Sequence, residues 1–332
     1  SVASSSPLLI SPSIAEDLAR VEAELRDSVK TDNAFLTEVA SHLILAGGKR
    51  IRPGFTIASA FGAVADARPA DHAVLMGAVS VELVHLGSLY HDDVMDDAAT
   101  RRTVDSVNAR WGNLKAILAG DFLLAKASEI AASLGTEVAG LLANTIARLC
   151  EGQVRELQDA YNIERTGQNY YASIAGKTAA LLATACRIGG IVAELPRPLV
   201  DTLTTFGRCY GMAFQVVDDI LDLVSTDEEL GKPSGNDLVE GIYTLPVLYT
   251  LETQVGDALR AILGDKLEPE QREEARAIVL AGDGVERALE VAREFSQEAA
   301  AALTPLEGTF AAASLGAATD HLIAKVAAAA SR

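Results

Sequence analysis

Aromatic side chains make up only 5% of these 332 residues, too few for the Phe-, Tyr- and Trp-rich strands of an all-β protein. Cysteine is scarcer still: Cys150, Cys186 and Cys209 form an odd set with no CxxC spacing. That excludes a disulfide framework and a zinc site, and it fits a reducing, cytoplasmic setting with the thiols packed as small apolar groups. Basic residues are in deficit, 28 Lys and Arg against 46 Asp and Glu, for a net charge of −18. So acidic a chain is unsuited to nucleic acid, whose binding energy comes mainly from neutralised phosphates. It can still hold a small anion if its few cations are gathered in one place. No unbroken apolar run reaches the ~18 residues of a membrane span; the stretch Leu181–Cys186 stops at Arg187. Ser1–Ser13 lacks the basic start and long apolar centre of a signal peptide, so residues 1–13 read as a flexible tail. The rest, 49% hydrophobic and 22% charged, is ordinary globular composition.

What is present is helical nearly everywhere. Alanine, leucine and glutamate dominate, and apolar residues recur at three and four, as in Val138, Leu141, Leu142, Thr145, Ile146 and Leu149. Helices are expected over 14–29, 33–46, 54–65, 71–97, 114–133, 137–161, 168–194, 197–224, 244–253, 269–281, 284–303 and 308–330. Breaks are short, at Gly47-Gly48, Pro69, Gly112-Asn113, Gly135, Pro196 and Gly231–Gly235. With no long linker and no solenoid repeat, the pattern predicts one all-α domain over 14–332.

Two segments carry chemistry by their charge. Asp92-Asp93-Val94-Met95-Asp96 and Asp218-Asp219-Ile220-Leu221-Asp222 both read DDxxD, and each ends an apolar helical stretch. Positions i and i+4 share a helix face, so Asp92 and Asp96 point the same way with Asp93 alongside. Carboxylates this close repel unless a cation sits among them, and two such clusters facing each other would make an oxygen-rich cage. Magnesium takes a few carboxylates together with substrate phosphates, so a metal–diphosphate is the expected ligand. The alternating EF-hand loop is absent. Cations gather nearby: Gly47-Gly48-Lys49-Arg50-Ile51-Arg52-Pro53 places three in a Gly-opened loop, and Arg101-Arg102 follow the first DDxxD. The loop is not GxxxxGK[ST], so it is no Walker loop.

Taken in order, GGKRIRP, DDVMD, RR, GDFLLAKA, GKT, FQVVDDILD and GKPSGNDL resemble the trans-isoprenyl diphosphate synthases, the polyprenyl synthetase family, over nearly the whole chain. The resemblance implies a large bundle of mostly antiparallel helices around a deep central cavity, usually as a homodimer. It implies condensation of isopentenyl diphosphate with an allylic prenyl diphosphate, with Mg2+ (three ions when substrate is bound). Gly48, Lys49, Arg52, His85 and Arg102 match the positions that hold isopentenyl diphosphate, and Arg101 matches the one gripping the allylic diphosphate. Asp92, Asp96 and Asp218 match the principal magnesium ligands, with Asp93, Asp219 and Asp222 supporting them. Lys177, Thr178, Gln215 and Lys232 match residues around the allylic diphosphate and its reacting carbon. Two positions depart from the family: Thr103 stands where a glycine is common, and Ile242 where many members carry a lysine.

Product length is read from the helix before the first aspartates. Ser88 lies one turn before Asp92, with Gly87 beside it and Val84 one turn further. Family members stopping at C15 or C20 often place a bulky aromatic at one of the first two positions. Here both are small, so a product of about C30–C50, a quinone side-chain precursor, is expected. The alternative is a geranylgeranyl or farnesyl diphosphate synthase, with a floor at Leu123, Leu124 or Ala127. Remoter rivals are a class I terpene cyclase and a non-catalytic helical partner subunit. The reading leaves room for transient membrane contact on product release, without a transmembrane segment.

Overall fold

The computed structural model describes residues 11–332; the first ten residues of the expected tail lie outside the described residues. Helices α1 (Pro12–Ser28), α2 (Ala34–Leu45), α3 (Ile51–Ala60) and α4 (His72–Met95) come first. A small hairpin of β1 (Thr100–Arg101) and β2 (Val104–Asp105) follows, antiparallel with Arg101 opposite Val104. Then come α5 (Val107–Trp111), α6 (Asn113–Ser133), α7 (Thr136–Gln158), α8 (Gly167–Ile174), α9 (Ala180–Val192) and α10 (Arg197–Val224). The rest comprises α11 (Asp227–Leu230), α12 (Asn236–Val239), α13 (Leu245–Leu251), α14 (Gly256–Arg260), α15 (Pro269–Ala281), α16 (Gly284–Ala302) and α17 (Phe310–Ala330). The expected all-α class is what the structure shows.

Local chemistry explains the boundaries. Pro12 opens α1, where its missing N–H is not needed, so Pro12 and Ser13 belong to a helix and not to the expected tail. Asn33, Ser106 and Thr166 accept backbone N–H bonds at the starts of α2, α5 and α8. Thr226 and Glu229 form a capping box on α11, and left-handed Gly231 ends it. The helix expected over 168–194 is interrupted: Ala175–Ala179 form a π turn between α8 and α9.

The described chain forms two compact units, each from three segments. The first holds residues up to Ile146, Leu181–Gly207 and Ala302–Ala318; the second holds Ala147–Ala180, Arg208–Ala301 and Thr319–Arg332. In the first, Leu18, Val21, Leu25, Phe55, Ile57, Leu83 and Leu123 are fully buried. Phe55 meets Phe206 with ring centres 5.8 Å apart. In the second, Tyr170, Ile174, Val216, Ile220, Val279 and Ala292 form the core. Each large apolar side chain buried this way contributes roughly 1.5–3 kcal/mol.

Two stretches, His72–Met95 and Gly167–Val192, are long and apolar enough to cross a membrane by length and composition, unlike the sequence expectation. Glu82 and Lys177 interrupt them, so a search for unbroken runs passes them over. Their apolar windows are 72% and 78% buried inside the protein, as core helices are.

Candidate active site

In the first unit, the last turn of α4 and the hairpin bring opposite charges together. Asp93 is buried, and both its oxygens accept from Arg101: Nε lies 3.1 Å from each, and Nη2 lies 2.6 Å from Oδ1. The structure thus commits Asp93 to Arg101. Asp96 caps α4, its N–H bonded to the Asp92 carbonyl at 2.8 Å, so the one-turn spacing survives the helix end. Burial works against the charge on Arg101, but the bonds and charge of Asp93, with Asp92 and Asp96 beyond, hold its pKa above the ordinary guanidinium value.

The hairpin turn consists of Arg102 (φ 51°) and Thr103 (φ 65°), both left-handed. That is the two-residue geometry matching strand twist, normally supplied by Asn or Gly. It gives the departure at Thr103 a physical meaning: a β-branched residue sits where a glycine would be unstrained. The turn aims Arg102 at the end of α2, where Nη1 donates to the carbonyls of Leu43 (3.2 Å) and Gly47. Gly48 is small because a Cβ there would lie 3.0 Å from Arg50 Nη1 and 3.1 Å from Arg102 Cζ.

Arg50 differs from its neighbours. It adopts φ 51° ahead of α3, is buried, and pairs with Glu22 and, at 3.5 Å, with Glu82. It is a structural cation, one of the five that looked alike in sequence. His85 is pushed well below its ordinary pKa by burial and then by the charges of Arg52, Arg102, Arg101 and Arg50. It is neutral at physiological pH.

In the second unit, α7 and the π turn approach backbone to backbone. A Cβ on Gly152 would meet Lys177 N at 2.5 Å, and one on Gly176 would meet the Arg148 carbonyl at 2.6 Å. This contact seats Lys177 against Glu156, an ion pair that sequence reading did not anticipate. Such π turns recur at functional sites. Thr178 donates to Gln215 Oε1 at 2.6 Å, and Gln215 Nε2 donates to Asp219 Oδ1 at 2.9 Å.

The three aspartates on α10 play different parts. Asp218 is exposed. Asp219 is buried, and burial together with the charge of Asp218 pushes its pKa up to about 8. Asp222 accepts from the Asp237 N–H at 3.2 Å and lies 3.9 Å from Lys232 Nζ. Its Oδ1 is buried without a hydrogen-bond partner. Asp237, which sequence reading also missed, is raised well above the carboxylate range by burial and by Asp222 and Asp219.

This donor set fits a hard divalent cation: crowded carboxylates, of which Asp219, Asp222 and Asp237 are raised by burial and by neighbouring carboxylates, with a buried oxygen that makes no hydrogen bond. Among the described residues no three His, Cys, Asp or Glu side chains close a metal cage by themselves. Magnesium needs no such cage, since it retains water and phosphate ligands.

Of the chain-length positions, Gly87 has a packing role. Its open side faces α6, where a Cβ would lie 3.0 Å from the Gly120 carbonyl oxygen and 3.1 Å from Leu124 Cγ. Its smallness permits close packing of α4 on α6. Val84 is buried, and Ser88 donates to the His85 carbonyl of its own helix at 2.6 Å.

Residues 33–280, about three-quarters of the chain, match the description "Polyprenyl synthetase". The chain belongs to the polyprenyl synthetase family. The enzyme class expected from sequence, a prenyltransferase of isoprenoid biosynthesis, follows with it. A heptaprenyl diphosphate synthase component 2 from Geobacillus stearothermophilus is 39% identical over 287 residues, 86% of this chain and 88% of that one. A nonaprenyl diphosphate synthase from Mycobacterium tuberculosis is 37% identical over 312 residues, 93% and 92% of the two chains. The solved geranylgeranyl pyrophosphate synthase from Corynebacterium glutamicum, complexed with calcium and isoprenyl diphosphate, is 38% identical with a TM-score of 0.80. It aligns over 94% of this polyprenyl synthetase chain and 96% of its own.

Proposed function

We propose that this enzyme joins isopentenyl diphosphate to an allylic prenyl diphosphate, head to tail and trans, releasing pyrophosphate and extending the chain to about C30–C50. The observation that carries the diphosphate chemistry is the convergence of Arg50, Arg52, Arg101 and Arg102 on a neutral His85 in a protein of net −18. Arg50 pairs with Glu22 and Glu82, and Arg101 with Asp93. So dense a cationic field suits an anion of several charges.

Gly48, Lys49, Arg52, His85 and Arg102 are assigned to isopentenyl diphosphate. Arg101, Lys177, Gln215 and Lys232 are assigned to the allylic diphosphate. Asp92, Asp96, Asp218 and Asp222 are assigned to magnesium, three ions with substrate present, and Asp93 and Asp219 orient their neighbours. Magnesium, when bound, would withdraw charge from the leaving diphosphate and weaken its C–O bond. Thr178 and Gln215 turn oxygen lone pairs toward the carbon that becomes cationic, and the isopentenyl double bond attacks it. Neutral His85 donates a hydrogen bond without adding charge. The departing pyrophosphate takes the final proton, so no protein base is invoked. Water must be kept out, or the cation is trapped as an alcohol.

The long product is supported by relatives named heptaprenyl, nonaprenyl and solanesyl diphosphate synthases, and by the absence of an aromatic at Val84 or Ser88. A homodimer in the cytoplasm is the assembly and place we assign. The test is incubation of purified protein with labelled isopentenyl diphosphate, Mg2+ and separate C5, C10, C15 and C20 primers. Pyrophosphate release requiring both substrates, with products of C30 or longer, is expected. Release from the allylic substrate alone would indicate a cyclase, and products no longer than C20 would overturn the chain length.

A further inference from the structure

One buried tyrosine is joined to the Thr178–Gln215 pair through Asp219. Tyr170, on α8, is 1% exposed, and its hydroxyl donates to Asp219 Oδ2 in a short hydrogen bond. The other oxygen, Oδ1, accepts from Gln215 Nε2 at 2.9 Å, while Gln215 Oε1 accepts from Thr178 Oγ1 at 2.6 Å. The four side chains form one directed chain. With Oδ2 taken by the Tyr170 hydroxyl, Oδ1 is the oxygen that meets Gln215, and the end of the amide turned toward it is the NH2. The carbonyl end then lies beside the Thr178 oxygen.

The tyrosine is itself held on both sides. The guanidinium of Arg165 lies over its ring, 5.4 Å from the centre, and Tyr171 meets the ring edge-on at 5.7 Å. Arg165 is buried and fixed by the Tyr243 carbonyl at 3.0 Å and by Asp159 at 3.6 Å. A phenol so enclosed has one orientation available to its hydroxyl axis, and that axis ends on Asp219.

We propose that Tyr170 is a positioning residue for prenyl transfer: through Asp219 it sets the direction of the Gln215 amide, so that oxygen and not NH2 is presented beside Thr178. The inference rests on the reading of Gln215 and Thr178 as the groups that steady the allylic cation. A reversed amide would put the positive end of its dipole where positive charge develops, which raises the barrier while isopentenyl diphosphate, assigned to other residues, binds as before.

Tyr170→Phe removes the hydroxyl and keeps the ring between Arg165 and Tyr171. Expected is a kcat lower by about tenfold or more, with KM for isopentenyl diphosphate within about twofold and an unchanged Tm. In a Gln215→Ala background the same substitution should cost less than about twofold, because the two act through one group. Multiplying losses would reveal a merely structural tyrosine and overturn the proposal, as would wild-type kcat in Tyr170→Phe when Gln215→Ala is impaired. A second readout needs no metal or turnover. In metal-free protein carrying 15N-glutamine, the Gln215 side-chain amide, assigned by its loss in Gln215→Ala, should lose protection from exchange in Tyr170→Phe. Unchanged protection overturns the inference. If Gln215→Ala turns over like wild type, the assigned role of Gln215 in the reaction fails and this inference fails with it; an altered amide alone would not rescue it.

Discussion

Gly87 of α4 and Gly120 of α6 stand against each other: a Cβ on Gly87 would lie 3.0 Å from the Gly120 carbonyl oxygen, and one on Gly120 3.2 Å from that of Gly87. Backbone meets backbone here, and neither side can yield by rotating a side chain. At Gly87, smallness near the first aspartates is accounted for by helix packing.

The two adjacent positions should respond differently to the same substitution. Gly87→Phe forces α4 and α6 apart, an overpacking cost of about 1–3 kcal/mol or more, seen as a lowered Tm and reduced soluble yield. Ser88→Phe should keep Tm close to wild type and shorten the products toward C15–C20. Chromatography of products beside a thermal melt of each variant checks both. Full-length products from a folded Ser88→Phe enzyme would move the floor to another helix.

Cations that look alike in sequence should separate by what they hold. Arg50→Ala strands Glu22 and Glu82, and breaking a buried pair of this kind costs about 3–5 kcal/mol. Lys49→Ala should leave stability nearly unchanged and raise KM for isopentenyl diphosphate, a loss of about 1.5–3 kcal/mol of binding. Urea denaturation and initial rates on both variants decide it. A destabilised Lys49→Ala with normal KM would reverse the assignments.

Thr103→Gly should stabilise the protein. A left-handed residue with a Cβ costs about 1–2 kcal/mol, partly offset by the extra freedom of glycine in the unfolded chain. A gain of about 0.5–1 kcal/mol is expected from denaturant midpoints. A loss would mean that the threonine side chain contributes a contact outweighing its strain.

His85 gives a pH dependence with a definite sign. Its folded pKa lies below the ordinary value of 6.5, so on acidification the unfolded chain takes up the proton first. Its contribution to stability is whole above pH 6.5 and declines as pH falls toward the folded pKa, by up to about 1.4 kcal/mol per pH unit. Denaturation curves between pH 7 and 5 should be steeper in pH for wild type than for His85→Gln. Parallel curves would contradict a neutral buried imidazole.

The helical fold was open to reading because apolar spacing survives into structure: α10 and α15 span the residues their pattern predicted. The acidic and basic groups were also legible as types. Their partners were not, since Arg50 reads like Lys49 and Arg52 until burial places it between two glutamates. The hairpin escaped because Thr100-Arg101 and Val104-Asp105 are too short for a period of two, and its left-handed turn lacks the usual glycine. Tyr170 and Asp219 are 49 residues apart, and no local pattern joins them. The packing of Gly87 against α6 was not legible, because smallness is the same signal whether a space is to be left open or filled by another helix.

The widened turn at Ala175–Ala179 acts as a phase shifter. Each residue of an α-helix advances about 100° around the axis, so one residue absorbed in a looser turn rotates everything downstream by that amount relative to an uninterrupted helix. The apolar stripe of α9 and the side chains of Lys177 and Thr178 are thereby set by separate registers along one continuous stretch of chain. Length at this spot is therefore information. Removing a single residue there would leave every side chain in place in the sequence and turn half of them away from their partners.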